Sequence, residues 1–138
     1  MRIMAIDYGD AHTGIAISDP TGFMAGYTTV INAYRPEVVA DQIAALIRDH
    51  GVEELVLGHP INMDGTRGPR SEKAHAMKTL LEERTSLPVV LWDERRTTID
   101  AHNILMAGGK NAKKRKKVVD AVAASLILEG YLTFKKSH

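Results

Sequence analysis

Five short apolar runs, with two amphipathic helical patterns among them, are the feature that most constrains the fold of this 138-residue chain. Runs of this length, bounded by glycine, proline, aspartate and serine, are typical of β-strands. The first three follow one another with only turn residues between them, which predicts consecutive antiparallel hairpins. The predicted strands cover residues 3–6, 15–17, a run that ends at residue 31, 55–57 and 89–92.

Helical patterns precede the fourth and fifth runs. The first opens at Pro36 and has Gly51 beyond its end, an arrangement that is common at helix boundaries. The second is predicted from about Ser71 to Thr85. Thr97 opens a third helix with a capping box, and a long final helix begins inside a basic run. The predicted core-facing residues are Val39, Ile43, Leu46, Ile47, Ala74, Met77, Leu80, Leu81, Val119, Val122, Ala123, Leu126 and Ile127.

The fourth and fifth runs are almost continuously apolar and each follows a helix, which is typical of parallel strands covered on both faces. The expected architecture is therefore an α/β fold with a five-stranded mixed sheet, in which strands 1–3 are antiparallel and strands 4–5 are parallel, flanked by helices. We find no repeat and no linker, so residues 1–138 are expected to form a single domain. In such sheets functional sites lie at the carboxyl ends of the parallel strands.

Composition excludes several classes of protein. The chain has no cysteine, which excludes disulfides, thiolate metal sites and thiol nucleophiles. It has no run of about 18 apolar residues, and Asp7 interrupts the apolar stretch that a signal peptide would need. We therefore expect a cytoplasmic protein with no membrane partner.

The net charge of +1 conceals an uneven distribution. The segment KNAKKRKK, residues 110–117, holds six of the 18 basic residues, so the other 130 residues carry 12 basic against 17 acidic residues. Such a block is typical of an edge that binds a polyanion. A solvated, mobile loop would have the same composition, and the run alone does not separate these interpretations.

Acidic residues fall where the predicted strands end. Asp7 closes strand 1 and precedes Gly9, Asp93 and Glu94 close strand 5, and Asp120 lies near the start of the final helix. Hard cations such as Mg²⁺ prefer these oxygen ligands. The alternative for each acid is a helix cap or a surface ion pair. That alternative is weaker for Asp7, because burying an unpartnered carboxylate is costly.

The segment GHPINMDGTRGPR, residues 58–70, is predicted to be a loop. Gly58 and Pro60 end the fourth strand, and the segment lacks the lysine of a nucleotide-binding P-loop. Its backbone N–H groups could approach phosphates, with Arg67 and Arg70 supplying charge. His59 is interpreted as a lining residue, because no second histidine is expected nearby.

Four motifs in order resemble those of the YqgF/RuvX family, which comprises Holliday-junction-resolvase-like nucleases that are also described as pre-16S rRNA nucleases. The motifs are DYGDAHTGIAISDP, GHPINMDGTRGPR, DERRTT and KKRKKVVDAVAASLIL. Each is weak alone, whereas four in the right order and spacing are highly specific. The resemblance covers nearly the whole chain and implies a ribonuclease H-like fold.

The resemblance also implies a carboxylate site that uses Mg²⁺ or Mn²⁺, with Asp7, Glu94 and Asp120 as metal ligands and catalytic residues. Asp93 stays open as the alternative to Glu94, because neighbouring residues at a strand end point to opposite faces. The sequence departs from the family pattern at Ala11–His12, where a polar pair is common. A phosphate contact from that hairpin is therefore missing or supplied by Arg95 or Arg96.

Together these features predict a metal-dependent nuclease that cuts structured RNA, in the processing of the 5′ end of pre-16S rRNA during ribosome biogenesis. Bound ions would orient water for in-line attack, so no protein nucleophile is required. The chain is expected to act as a monomer or homodimer. The residues expected to contact phosphates are Arg67, Arg70, Arg95, Arg96, Lys113, Lys114, Arg115, Lys116 and Lys117.

Three other functions would use some of the same features. A Holliday junction resolvase cutting branched DNA would normally need a symmetric dimer. A nucleic-acid-binding ribosome assembly factor would use the same acids structurally. An actin-like ATPase needs two such domains, which 138 residues do not hold. The seven aromatic residues, no two of them adjacent, argue against a base-stacking platform.

Overall fold

The computed structural model describes the backbone of residues 1–22, 25–59, 68–93 and 112–137, and the side chains of these residues except 112–121 and 137. Within these ranges, five strands form one sheet and three helices pack on it. The strands are β1 (Arg2–Asp7), β2 (His12–Ser18), β3 (Ala25–Asn32), β4 (Val52–His59) and β5 (Val89–Asp93). The helices are α1 (Pro36–His50), α2 (Pro69–Thr85) and α3 (Ala112–Ser137).

The sheet has the order β3-β2-β1-β4-β5. Strand β2 pairs antiparallel with β1 and β3, whereas β4 pairs parallel with β1 and β5. The predicted mixed sheet is thus confirmed. All strands except β2 run in one direction, so their carboxyl ends share one edge, which we call the carboxyl edge. The opposite edge is called the amino edge.

Strand β4 and helix α2 both extend beyond the residues predicted for them. Strand β4 begins at Val52 because Glu54, although acidic, is held by hydrogen bonds to α3. Helix α2 begins at Pro69, two residues before the prediction, because proline is well suited to the first helical position. The helix predicted to open at Thr97 lies outside the described residues.

Helices α1 and α2 cover one face of the sheet. Their buried residues, among them Ile43 and Met77, pack on Met4, Ile6 and Leu57 of the central strands. The predicted core-facing residues of α1 and α2 are buried except Leu46 and Leu80, which pack at the margin of this core and stay partly exposed. Helix α1 ends at Gly51, whose φ of 66° is the left-handed conformation that glycine adopts without strain.

Helix α3 covers the other face. Ala124 and Ile127 pack on Ala5, Ala16 and Val56, and these small side chains let the helix approach the sheet closely. Of the predicted α3 core residues, Ala123 and Ile127 are buried, Val122 and Leu126 are partly exposed, and the side chain of Val119 lies outside the described residues.

The direction of α3 follows from its last turns. The Tyr131 hydroxyl donates to Glu54 Oε1 (3.0 Å) and Lys135 Nζ donates to Glu54 Oε2 (2.8 Å), near the start of β4. The end of α3 therefore lies at the amino edge, and its first turns point towards the carboxyl edge. Among the helices in the described ranges, none is long and apolar enough to span a membrane.

Candidate active site at the carboxyl edge

Asp7 is the last residue of β1 and is partly buried. It continues the alternation of Ile3 and Ala5, so it lies on the α3 face of the sheet. Its partner on β2 is Gly14, and Gly58 on β4 follows Leu57, the partner of Ile6. Glycines thus flank Asp7 on both neighbouring strands, and neither strand places a side chain beside its carboxylate.

The Asp7 carboxylate forms no hydrogen bond or ion pair with any residue in the described ranges. Lys73 of α2 binds Asp10 instead, with Nζ 2.7 Å from Oδ1. A bound cation compensates a carboxylate for the water that partial burial removes. Its hard oxygen atoms fit Mg²⁺ or Mn²⁺.

The hairpin between β1 and β2 is tightly built. A Cβ on Gly9 would overlap the backbone carbonyl oxygen of His12, so this turn requires glycine. The ring of His12 donates from Nδ1 to Asn32 Oδ1 at 2.6 Å, which ties the hairpin to the end of β3. His12 thus holds two strands together at the position where the resemblance leads one to expect a polar pair.

Tyr8 lies next to Asp7 and packs against the α1/α2 core. Burial, reinforced by the Asp10 and Glu37 carboxylates and opposed by Lys73, raises the pKa of the Tyr8 phenol above its ordinary value. The phenol is therefore neutral at physiological pH and is a poor candidate for a general base.

Asp93 lies on the opposite face from Asp7. It pairs with His59 of β4 and continues the alternation of Val89 and Leu91, which face α1 and α2. Trp92, by contrast, packs against Tyr131 of α3. Glu94, the other acid of this segment, lies outside the described residues.

A pair of histidines lies on the α2 side of the same edge, with His59 buried and His75 exposed. His59 is only 6% exposed, and its Nε2 lies 2.6 Å from Ser71 Oγ. The ring of His75 stands edge-on to that of His59, with centroids 4.9 Å apart. The expectation that His59 has no second histidine nearby is wrong, because α2 brings His75 back over the end of β4.

Among the described residues, no third side chain joins His59 and His75 to complete a metal site. No group of three or more His, Cys, Asp or Glu side chains that could hold a metal occurs among the described residues. The hydrogen bond between His59 and Ser71 joins the end of β4 to the first turn of α2. It thus connects the two ends of the segment that contains the predicted loop.

The predicted basic residues fall into three groups. Arg70 is exposed in the first turn of α2. The residues 113–117 and Asp120 belong to the first turns of α3, which confirms that the final helix begins inside the basic run. The side chains of that group lie outside the described residues, as do the whole residues Pro60, Arg67, Glu94, Arg95 and Arg96.

Comparison with known proteins places the chain among nucleases. Residues 1–134 match the family model described as RuvX, Holliday junction resolvase. A relative from Halothermothrix orenii, named "Putative pre-16S rRNA nuclease", is 45% identical over 135 residues, which cover 98% of this chain and 96% of the relative. A relative of the same name from Bacillus subtilis is 43% identical over 134 residues, which cover 96% and 97%.

A solved structure has the same fold. The structure of Thermus thermophilus RuvC in complex with a Holliday junction substrate has a TM-score of 0.65 and 14% identity, and the match covers 99% of this chain and 96% of that one. Similarity at this level of identity shows the fold alone. The expected ribonuclease H-like fold is confirmed.

Proposed function

Because this chain belongs to the RuvX family, we propose that it is a divalent-metal-dependent nuclease that cuts structured RNA, in the maturation of the 5′ end of pre-16S rRNA. The nuclease activity follows from the family and the names of the relatives. The RNA substrate and a cytoplasmic location are proposed because the relatives from Halothermothrix orenii and Bacillus subtilis carry a pre-16S rRNA name.

The environment of Asp7 is the observation that best supports a metal site. Its carboxylate is partly buried, has no partner in the described part of the chain, and lies between Gly14 and Gly58. Trp92 of β5 faces α3, and the alternation of side chains along a strand predicts that Glu94, two residues later, lies on the same face of the sheet as Asp7. Asp120 belongs to the first turns of α3, which point towards this edge. We therefore assign Asp7, Glu94 and Asp120 as ligands in preference to Asp93.

The three carboxylates would hold Mg²⁺ or Mn²⁺. When bound, the ions supply the charge that activates water for in-line attack and stabilises the leaving oxygen. The glycines beside Asp7 leave room for a phosphate group. The phosphate backbone would be gripped by Arg67, Arg70, Arg95, Arg96 and the basic residues at 113–117.

The test is Asp7→Asn. This change removes the carboxylate charge with little change in shape, so Mn²⁺-dependent cutting of a precursor RNA should fall at least about 100-fold. Binding in metal-free buffer should stay close to that of the wild type. Asp10→Asn is the matched control, because Asp10 lies on the same hairpin but pairs with Lys73. Full activity in Asp7→Asn would contradict the assignment.

A second measurement addresses the substrate. Pre-16S rRNA and a four-way DNA junction should be offered at equal concentration, and the initial rates of cutting compared. Faster cutting of the RNA supports the proposal. Paired incisions in the junction by a dimer would assign the resolvase activity, and binding to either substrate without cutting would assign an assembly factor.

A further inference from the structure

Tyr34 is the most exposed large apolar side chain in the described part of the chain. It is 79% exposed, and it makes no ring contact or hydrogen bond with a described residue. It follows the end of β3, where His12 pairs with Asn32 and the Ala33 N–H donates to the Ala11 carbonyl. Because β3 runs in the same direction as β1, Tyr34 lies at the carboxyl edge with Asp7.

Arg35 is exposed next to Tyr34 and occupies the N-cap of α1, where its side chain forms no capping hydrogen bond. It forms no ion pair with a described residue. A cation at this position opposes the helix dipole, and Ser, Thr, Asp or Asn would cap the helix better. Helix stability therefore does not explain Arg35.

The distance to Asp7 follows from the strand register. Asp7, Gly14 and Val30 form one row across three strands, so Val30 lies about 10 Å from Asp7 at the usual strand spacing. Strand β3 ends at Asn32, two residues after Val30, and Tyr34 lies in the bend that follows, so its Cα lies within about 18 Å of that of Asp7. In a stacked strand this limit corresponds to about five nucleotides.

We infer that Tyr34 and Arg35 form a contact for an unpaired RNA strand that leads away from the cleavage site. The Tyr34 ring stacks on a base, and the Arg35 guanidinium binds an adjacent phosphate. This inference rests on the proposed function and names its substrate class: RNA that is single-stranded within about five nucleotides of the scissile phosphate. One exposed tyrosine supplies a local stacking contact, although the seven scattered aromatic residues do not form an extended platform.

The same elements provide matched controls at the amino edge. Tyr27 lies near the start of β3 and is 41% exposed, but its ring packs on that of His50, with centroids 4.6 Å apart. Arg48 is exposed in the last turn of α1. Tyr27→Ala and Arg48→Ala therefore remove the same kinds of side chain at the edge remote from Asp7.

The experiment measures binding of full-length protein in metal-free buffer to two RNAs, a blunt duplex and the same duplex with roughly ten unpaired nucleotides. Tyr34→Ala should weaken binding of the tailed RNA about tenfold and leave the blunt duplex unchanged, while Tyr34→Trp retains binding. Arg35→Ser should make the dependence of RNA affinity on salt concentration shallower, by the amount that corresponds to about one phosphate contact. It should also raise the midpoint of thermal unfolding, because serine is a better N-cap residue. Neither control should change binding.

The inference is overturned if Tyr34→Ala binds the tailed RNA like the wild type. It is also overturned if the variant loses affinity equally for both RNAs, or if Tyr27→Ala has the same effect. Because the assay needs no cleavage, it is independent of the Asp7→Asn result. A tail-specific loss together with unaltered cutting by Asp7→Asn would retain the strand contact and remove the proposed metal site.

Discussion

At the carboxyl edge, Asp7 lies beside Gly14 on one side of the sheet, and His59 lies beside His75 on the other. Asp7 could be proposed as a ligand from the sequence, because an acid that ends an apolar strand differs clearly from its neighbours. The place of Gly14 beside Asp7 could not be predicted, since it depends on strand register. The proximity of His59 and His75 depends on the path of α2 over β4. Both relationships are non-local, and neither leaves a periodic signal.

Thr13 carries a buried hydroxyl that the described structure does not satisfy. It is fully buried, and its Oγ1 has no hydrogen-bond partner among the described residues. Thr13→Val replaces that hydroxyl with a methyl group of similar size and should raise the free energy of unfolding by about 1 kcal/mol.

Urea unfolding of the Thr13 variants measures this effect. Thr13→Ser is the control, because it keeps the hydroxyl and removes the methyl group, and it should lower stability by about 1 kcal/mol. A loss of stability in Thr13→Val would show that the hydroxyl has a partner.

At the scale of elements, periodicity and turn residues located all the strands and helices in the described ranges. Their ends were less predictable. Strand β4 extends over Glu54 because Tyr131 and Lys135, some 80 residues away in sequence, satisfy its carboxylate. Local sequence contains no sign of those partners.

Gly9 and Gly51 are required for different reasons, which predicts different effects of replacing them. Gly9→Ala forces a Cβ against the His12 carbonyl oxygen and should lower the free energy of unfolding by about 2 kcal/mol. Gly51 has φ of 66°, and a Cβ added there would meet no atom within 4 Å, so Gly51→Ala should cost about 1 kcal/mol.

Urea denaturation of both variants tests this difference. Gly51→Asn should recover most of the loss, because asparagine tolerates the left-handed conformation. Gly9→Asn should not, since its Cβ meets the same carbonyl. Equal recovery at both positions would contradict the steric explanation for Gly9.

The docking of α3 predicts a loss of stability at alkaline pH. Burial, together with the hydrogen bond to Glu54 and the charge of Glu54, raises the pKa of Tyr131 to about 12. An unfolded tyrosine has a pKa near 10. The stabilisation is therefore complete below pH 10 and is lost as the pH rises towards 12.

Thermal unfolding of the wild type and Tyr131→Phe between pH 8 and about 11.5 measures this contribution. The wild type should unfold at the higher temperature at pH 8, and its advantage should shrink above pH 10. The comparison isolates Tyr131 from Lys135, which also titrates in this range. A constant difference across the series would contradict the prediction.

At the scale of the whole molecule, the near-neutral charge separates into a basic segment and an acidic remainder. The residues 113–117 lie in the first turns of α3, which point towards the edge that carries Asp7. The proposed grouping of residues 7, 94 and 120 rests on the family resemblance, because no local pattern connects positions so distant in sequence.

Replacing Lys113, Lys114, Lys116 and Lys117 by Gln tests the basic segment. The slope of the logarithm of RNA affinity against the logarithm of salt concentration should become shallower by about three. Cutting of saturating RNA should change little, because the carboxylates remain. An unchanged slope would show that these lysines form a solvated face without phosphate contacts.

The placement of both ends of the chain has a practical consequence. Met1 and Lys136 line the same cavity of about 210 Å³ at the amino edge, the edge of the sheet opposite to Asp7. An affinity tag or surface anchor at either end therefore leaves the carboxyl edge facing the solution. Immobilised protein should remain accessible to large folded RNAs, which makes it suitable for single-molecule recordings of cleavage.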